Sequence, residues 1–115
     1  MSSGNAEIPR DFSHVDSLEK AEALVESGEL YKILLFPAEF GGEEIPPNTV
    51  FVPAEIPEIK DRITQTLIRF VEDGLIDNLT VNPEYKGDSF VPSRIVMETS
   101  HSGKPGEFNP TIEIW

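Results

Sequence analysis

The sequence predicts an α+β fold, a two-layer sandwich in which two helices lie on one face of a mostly antiparallel five-stranded sheet. One long segment has a clear helical period, a second and shorter one is amphipathic, and five short β-type segments are separated by Gly- and Pro-rich turns. The expected element order is α-β-β-α-β-β-β. With 115 residues the chain has the length of one domain. We expect a flexible tail over residues 1–13 and a single α+β domain over residues 14–115.

Residues 56–74 give the clearest helical pattern. Six apolar residues share one stripe of a 3.6-residue wheel: Ile56, Ile59, Ile63, Leu67, Phe70 and Val71. Pro57 suits the first helical position, and Gly74 suits the left-handed residue that follows a helix. The pattern therefore predicts a helix about 25 Å long that buries this stripe against the sheet.

A shorter helix is expected over residues 17–27. Asp16 precedes it as a candidate N-cap, and Glu19 is spaced to complete a capping box. Gly28 ends the pattern. Its apolar stripe is narrow and consists of Leu18, Ala21, Leu24 and Val25.

The remaining apolar segments predict strands. Residues 30–36 are almost continuously apolar, which favours the buried middle strand of the sheet, whereas Pro53 stops the short strand at 50–52 and favours an edge. Three further strands, expected at 79–82, 94–99 and 108–115, should be consecutive and antiparallel because their connections are short. An unpaired edge at 50–52 or 108–115 could pair with a second copy, so a homodimer is possible.

Charge is the most unusual feature of the composition. The chain has 21 acidic and 9 basic residues, and the first 58 residues contribute −9 of the net −12. Such a field repels nucleic acid and anionic membranes and attracts a basic partner. The alternative is that the acids only maintain solubility. Because no signal-peptide core or membrane-spanning segment is present, we expect a cytoplasmic protein.

The sequence predicts no metal, no cofactor and no catalytic residue. There is no cysteine, the two histidines have no partner at ligand spacing, and no glycine-rich phosphate loop is present. Gly87-Asp88-Ser89 resembles the Gly-Asp-Ser block of one lipase and esterase class. However, no Asp-x-x-His pair follows it and the chain is too short for that fold, so a turn is the expected structure.

Two loops are candidate binding surfaces. In the first, Phe40 and Ile45 flank the acidic pair Glu43 and Glu44, an arrangement that could hold a basic partner with an apolar contact. Alternatively, Phe40 and Ile45 fold back onto the core.

The second loop, residues 85–94, brings Tyr85, Lys86 and Arg94 together in a chain with few cations. An anionic or carboxylate-bearing ligand could bind there. Alternatively, the two cations pair with the protein's own acids. The sequence does not determine whether Trp115 is packed or exposed.

These observations favour a small acidic protein–protein interaction module, of the inhibitor or immunity type, that binds a basic partner and is not an enzyme. The alternative is a small-molecule-binding or catalytic domain that uses residues 85–94.

Overall fold

The strands form two antiparallel sheets rather than the single five-stranded sheet expected. The computed structural model describes residues 11–115, so most of the predicted tail lies outside the described residues. The elements are α1 (Leu18–Glu26), β1 (Tyr31–Leu34), β2 (Thr49–Val52), α2 (Ile56–Glu72), β3 (Asn78–Tyr85), β4 (Pro92–His101), β5 (Lys104–Pro105) and β6 (Thr111–Glu113). The predicted α+β class, with two helices and antiparallel pairing, is confirmed. In residues 11–115, neither helix has the length and apolar character needed to cross a membrane.

The smaller sheet contains only β1 and β2, so the prediction that residues 30–36 form the middle strand was wrong. The apolar character of this segment suggested a strand at the centre of a sheet. However, its most buried residues, Leu30 and Leu35, lie just outside the strand. The ladder stops after Leu34, since the backbone N–H and carbonyl of Phe36 are bonded by the Asn48 side chain instead. β2 is the more buried strand, and it contacts β4 of the larger sheet.

The larger sheet is built around β4, which pairs with β3 on one side and with β6 and the short β5 on the other. The expected antiparallel run of the last three main strands is therefore confirmed. β3 is longer than expected and continues through Pro83 to Tyr85. An edge strand tolerates proline because its outer N–H groups need no strand partner, and β3 lies at an edge of this sheet.

Helix α2 forms as expected, but its buried face is rotated relative to the predicted stripe. Ile59 and Ile63 of the predicted stripe are only partly buried, whereas Ile56 and Leu67 are fully buried. The polar residues Lys60 and Thr64 take buried positions between them. Residues 56, 60, 64 and 67 follow the helical period as well as the isoleucine stripe does, and packing against the sheets selected this neighbouring face.

Helix α1 is capped by Ser17, not by the expected Asp16–Glu19 capping box. Ser17 has an extended backbone, and its hydroxyl accepts a hydrogen bond from the N–H of Lys20 at 3.2 Å. Asp16 instead binds the Lys20 ammonium at 2.7 Å. Aspartate and serine are both good N-caps. The helix begins at Leu18, one residue later than expected, so the cap position falls on Ser17.

The C-terminal Trp115 is packed. Its indole N–H donates to the Val91 carbonyl at 3.0 Å, and the Phe12 ring contacts it edge-on at a centroid distance of 5.9 Å. Ser89 donates its hydroxyl to the Phe12 carbonyl at 2.7 Å. The residues that precede α1 are thus attached to the loop between β3 and β4.

We expect Leu67→Ala to lower the free energy of unfolding by about 2–5 kcal/mol, because it leaves a cavity in the core. Leu67 is completely buried in α2. Val71→Ala, at an exposed position in the last turn of the same helix, is the matched control and should change stability by about 0.5 kcal/mol or less. Urea denaturation measures both values, and equal midpoints for the two variants would contradict the burial of Leu67.

Candidate binding site

The two loops selected from the sequence border the same cleft, which has a volume of about 710 Å³. One wall is formed by Glu44, Ile45 and Pro46 from the first loop, and the facing wall by Tyr85, Gly87, Asp88, Ser89 and Phe90. Leu18 and Glu22 of α1 and Lys32, Thr49 and Phe51 of the smaller sheet complete the lining. The volume lies in the range of sites that hold small molecules or peptide side chains, about 300–1,000 Å³.

Exposed apolar side chains are concentrated at this cleft. Within the described residues, seven large apolar side chains are exposed, and four of them line it: Leu18, Ile45, Tyr85 and Phe90. Single exposed apolar residues are common on protein surfaces, but a contiguous patch marks an interaction site. Leu18, the first residue of α1, is 51% exposed and belongs to the patch.

The charges around the cleft are mostly negative. Glu22, Glu44 and Asp88 line it together with a single cation, Lys32. The Lys32 ammonium lies 3.5 Å from a Glu22 carboxylate oxygen and 5.9 Å from the centroid of the Phe51 ring, so it is already engaged. Glu44 and Asp88 make no ion pair with any residue in 11–115. The cleft therefore offers two carboxylates to an incoming cation.

Asn48 holds the first loop in place. Its side-chain oxygen accepts from the Phe36 N–H at 2.7 Å, and its amide donates to the Phe36 and Glu43 carbonyls, both at 3.1 Å. Gly42 lies against the Phe36 carbonyl so closely that a Cβ at this position would clash with it. Gly42 is thus packed against the chain that follows β1, and its N–H donates to the Pro37 carbonyl at 2.9 Å.

The second loop is a turn at Gly87 and Asp88, and Ser89 holds it to the core. The Ser89 hydroxyl donates to the Phe12 carbonyl and accepts from the Val91 N–H at 3.1 Å. Both bonds are structural. Within residues 11–115, no histidine bonds to this serine, so the Gly-Asp-Ser segment lacks the base that a serine nucleophile needs. Partial burial at this wall raises the pKa of the Tyr85 phenol.

The structure brings together three of the seven predicted binding residues, Glu44, Ile45 and Tyr85. Phe40 lies outside the lining and contacts Phe36 with a ring-centroid distance of 6.3 Å, as in the alternative that it folds onto the core. Glu43 is also outside the lining, although its carbonyl helps to fix the loop through Asn48.

Lys86 and Arg94 do not line the cleft. The Lys86 ammonium lies 4.9 Å from the centroid of the Trp115 ring. The Arg94 Nε lies 3.6 Å from a Glu84 carboxylate oxygen and 3.5 Å from one of Glu113. Both cations thus have intramolecular partners. For Arg94 these are the protein's own acids, as in the alternative interpretation of the sequence, whereas Lys86 contacts an aromatic ring.

Several cleft residues had no sequence signal that singled them out. Leu18 and Glu22 read as ordinary positions of an amphipathic helix, and Lys32 and Phe51 as strand positions. Only tertiary packing brings these elements beside the two loops. In residues 11–115 no group of three or more His, Asp or Glu side chains is placed to hold a metal ion.

A second cavity of about 250 Å³ lies between α2 and the segment that follows β1. Lys60 lines it and is only 6% exposed. Desolvation lowers the pKa of the Lys60 ammonium from 10.5 to about 8, although the nearby carboxylates of Glu39 and Asp61 act in the opposite direction. Lysine side chains are seldom this far buried in proteins.

We expect Asn48→Ala to loosen the first loop and to lower the free energy of unfolding by about 1–3 kcal/mol, because it leaves the partly buried Phe36 backbone groups without partners. Hydrogen exchange at the Phe36 amide should accelerate. Asn82→Ala, on exposed β3, is the control and should change neither quantity appreciably. Unchanged hydrogen exchange at Phe36 would show that the Asn48 side chain does not hold this segment in place.

Lys60 should make the stability of the protein increase with pH between about 8 and 10. The folded state loses the Lys60 proton near pH 8, while the unfolded chain keeps it until about 10.5, so the unfolded state binds more protons in this window. Below pH 8 both states are protonated and the full cost of burying the ammonium remains. Urea midpoints from pH 7 to 9.5 measure the effect, and Lys60→Met should remove it. If the urea midpoints of the wild-type protein and of Lys60→Met changed equally with pH, Lys60 would not be the cause of the pH dependence.

Comparison with known proteins gives no relative from which a function could be transferred. No protein-family model matches the chain, and neither the search of curated proteins nor that of solved structures gives a match. The cleft residues and their contacts are therefore the basis for inferring a function.

Proposed function

We propose that the protein is a small acidic cytosolic interaction module that holds a basic segment of a partner protein in the cleft between its two loops. One observation supports this most directly: exposed apolar side chains from three parts of the chain form a patch bordered by the carboxylates of Glu44 and Asp88, which make no ion pair within residues 11–115.

The cleft divides the recognition between two kinds of contact. An apolar side chain of the partner enters between Ile45 and Phe90, where burial of both surfaces supplies most of the affinity. Basic side chains on either side of that anchor approach Glu44 and Asp88. The net charge of −12 accelerates association with a basic protein and disfavours nucleic acid and anionic membranes as partners.

The chemistry suits an inhibitor or immunity-type protein that neutralises a basic partner. Such a protein needs no catalytic group, and its binding surface must remain complementary in charge to its target. This comparison is one of type and rests on the charge and the cleft alone. A homodimer through an edge strand remains a separate prediction.

A second candidate function is binding of a small molecule in the same cleft, supported by its volume of about 710 Å³ and by the aromatic wall of Tyr85 and Phe90. Because Lys86 and Arg94 are engaged elsewhere, the anionic ligand expected from the sequence is less suitable than a neutral or cationic aromatic one. A rise in melting temperature with such compounds, abolished by Phe90→Ser, would favour this function.

Peptide selection tests the main proposal. Twelve-residue peptides selected from a displayed library on the wild-type protein should carry Lys or Arg around one large apolar residue. The double substitution Glu44→Gln and Asp88→Asn should weaken their binding roughly tenfold at low salt, at about 0.7 kcal/mol for each exposed charge pair. Fluorescence anisotropy at low and high salt measures this loss, which should shrink as salt rises.

The matched control is Glu72→Gln with Asp73→Asn, which removes the same charge at the far end of α2, outside the cleft lining. It should reduce affinity much less, because only the long-range field changes. Ile45→Ser should weaken binding at every salt concentration, since the apolar contact is not screened. Selected peptides without basic residues, or equal effects of the two double variants, would contradict the proposal.

A further inference from the structure

One side of β3 is an unpaired strand edge. β3 is the end strand of the larger sheet and pairs only with β4 within residues 11–115. It has 8 residues, whereas β1 and β2 of the smaller sheet have 4 each. An exposed edge presents backbone N–H and carbonyl groups to which another strand can pair. β3 is thus the longest site for strand addition in the part of the chain that the structure describes.

The hydrogen bonds of β4 determine which backbone groups of β3 face outward. The Met97 N–H of β4 donates to the Pro110 carbonyl, on the side of β6, at 2.9 Å. Because successive residues of a strand alternate in direction, the even-numbered residues of β4 bond towards β3. Val96 lies opposite Asn82, so the even-numbered residues of β3 bond back to β4. The N–H and carbonyl groups of its odd-numbered residues therefore face the open side.

The open edge lacks the charges that usually prevent strand pairing. Natural edge strands are commonly protected by Lys or other charged residues. Residues 78–83 have the sequence NLTVNP and contain no charge, in a chain in which 26% of the residues are charged. Pro83 faces the open side without an N–H, and the register with β4 shifts just after Glu84. These two features confine strand addition to residues 78–82, where Leu79 and Val81 present the outward groups.

We propose that this edge pairs with the same edge of a second copy of the chain, antiparallel about a two-fold axis at Thr80. In this register Leu79 lies opposite the partner's Val81, and each outward N–H and carbonyl of both residues is bonded. An axis at Val81 would place Leu79 opposite the partner's Pro83 and leave the Leu79 carbonyl without a donor. The axis at Thr80 therefore makes better use of the edge.

The side chains across this axis suit a second copy. Thr80 lies opposite the partner's Thr80, and Asn78 opposite the partner's Asn82, all on the exposed face of β3. Polar pairs of this kind can hydrogen-bond across neighbouring strands. The flanking carboxylates of Asp77 and Glu84 are not opposite each other in this register. The contact is therefore self-complementary in both polarity and charge.

The net charge of −12 gives this contact a characteristic salt dependence. Two copies repel each other over long range, and salt screens the repulsion. A single pair of edge strands is a small interface, so we expect a dissociation constant on the order of 0.1 mM in 0.5 M NaCl. The dimer should tighten severalfold as salt rises from about 0.05 M to this value. Binding of a basic peptide in the cleft should weaken over the same range.

Sedimentation equilibrium of the full-length protein tests the proposal. In 0.5 M NaCl we expect mostly monomer at about 10 µM and mostly dimer at about 1 mM. Hydrogen exchange followed by NMR should slow at the Leu79 and Val81 amides over the same concentration range, because only the dimer bonds them. A monomer at every concentration, or a dimer in which these two amides stay unprotected, would overturn the proposal.

Opposite charges at residue 80 test the register. Thr80→Lys and Thr80→Glu should each weaken self-association at least tenfold, because each places like charges opposite one another at the axis. An equal mixture of the two variants should form a heterodimer that is stronger at low salt. Thr111→Lys, exposed on β6 at the opposite edge of this sheet, is the matched control and should dimerise at least as well as the wild type.

Two outcomes of these substitutions would contradict the proposed contact. A mixture that remains monomeric would exclude an axis at Thr80. Loss of the dimer with Thr111→Lys but not with Thr80→Lys would place the contact at β6 instead. Thr80 lies outside the cleft lining, so Thr80→Lys should leave peptide binding in the cleft nearly unchanged, and the two proposals can fail separately.

Discussion

The packing of a two-stranded sheet against a larger one is the constraint on which the rest of the structure depends. β1 and β2 form too small a sheet to be stable alone. Val50 and Val52 of β2 are almost fully buried, in the same apolar cluster as Ile95 and Met97 of β4. The core is therefore shared, and the smaller sheet is held by side-chain burial rather than by a continuous ladder of hydrogen bonds.

This arrangement creates the cleft. Where two sheets meet without joining, the loops that leave them cannot be covered by a neighbouring strand, and their apolar side chains stay partly exposed. Asn48 and Ser89 hold the two facing loops by bonds to backbone groups. The walls of the cleft are thus preorganised, which lowers the conformational entropy that a partner must overcome on binding.

The charges divide into those that are internally compensated and those that are not. Arg94 lies between Glu84 and Glu113, and Lys86 lies over Trp115, so both are engaged by their own chain. Glu44 and Asp88 have no such partner among the described residues. The acidic composition produces a negative field around the whole protein, and these two uncompensated carboxylates concentrate negative charge at the cleft. Lys60 differs from both groups, since its side chain is largely buried and desolvation lowers the pKa of its ammonium.

The sequence by itself determined the helices, the antiparallel pairing of the last strands and the acidic character, because these follow from local periodicity, turn residues and composition. Leu67 and the limits of α2 could be identified in this way, and so could Glu44, Ile45 and Tyr85 as binding candidates. Only the tertiary structure decided that the strands form two sheets and that Leu18, Lys32 and Phe51 join the two loops in one cleft. It also decided that Lys60 is buried whereas Val71, in the last turn of α2, is exposed. Each of these depends on contacts between residues distant in sequence, and such contacts leave no periodic signal in a single chain.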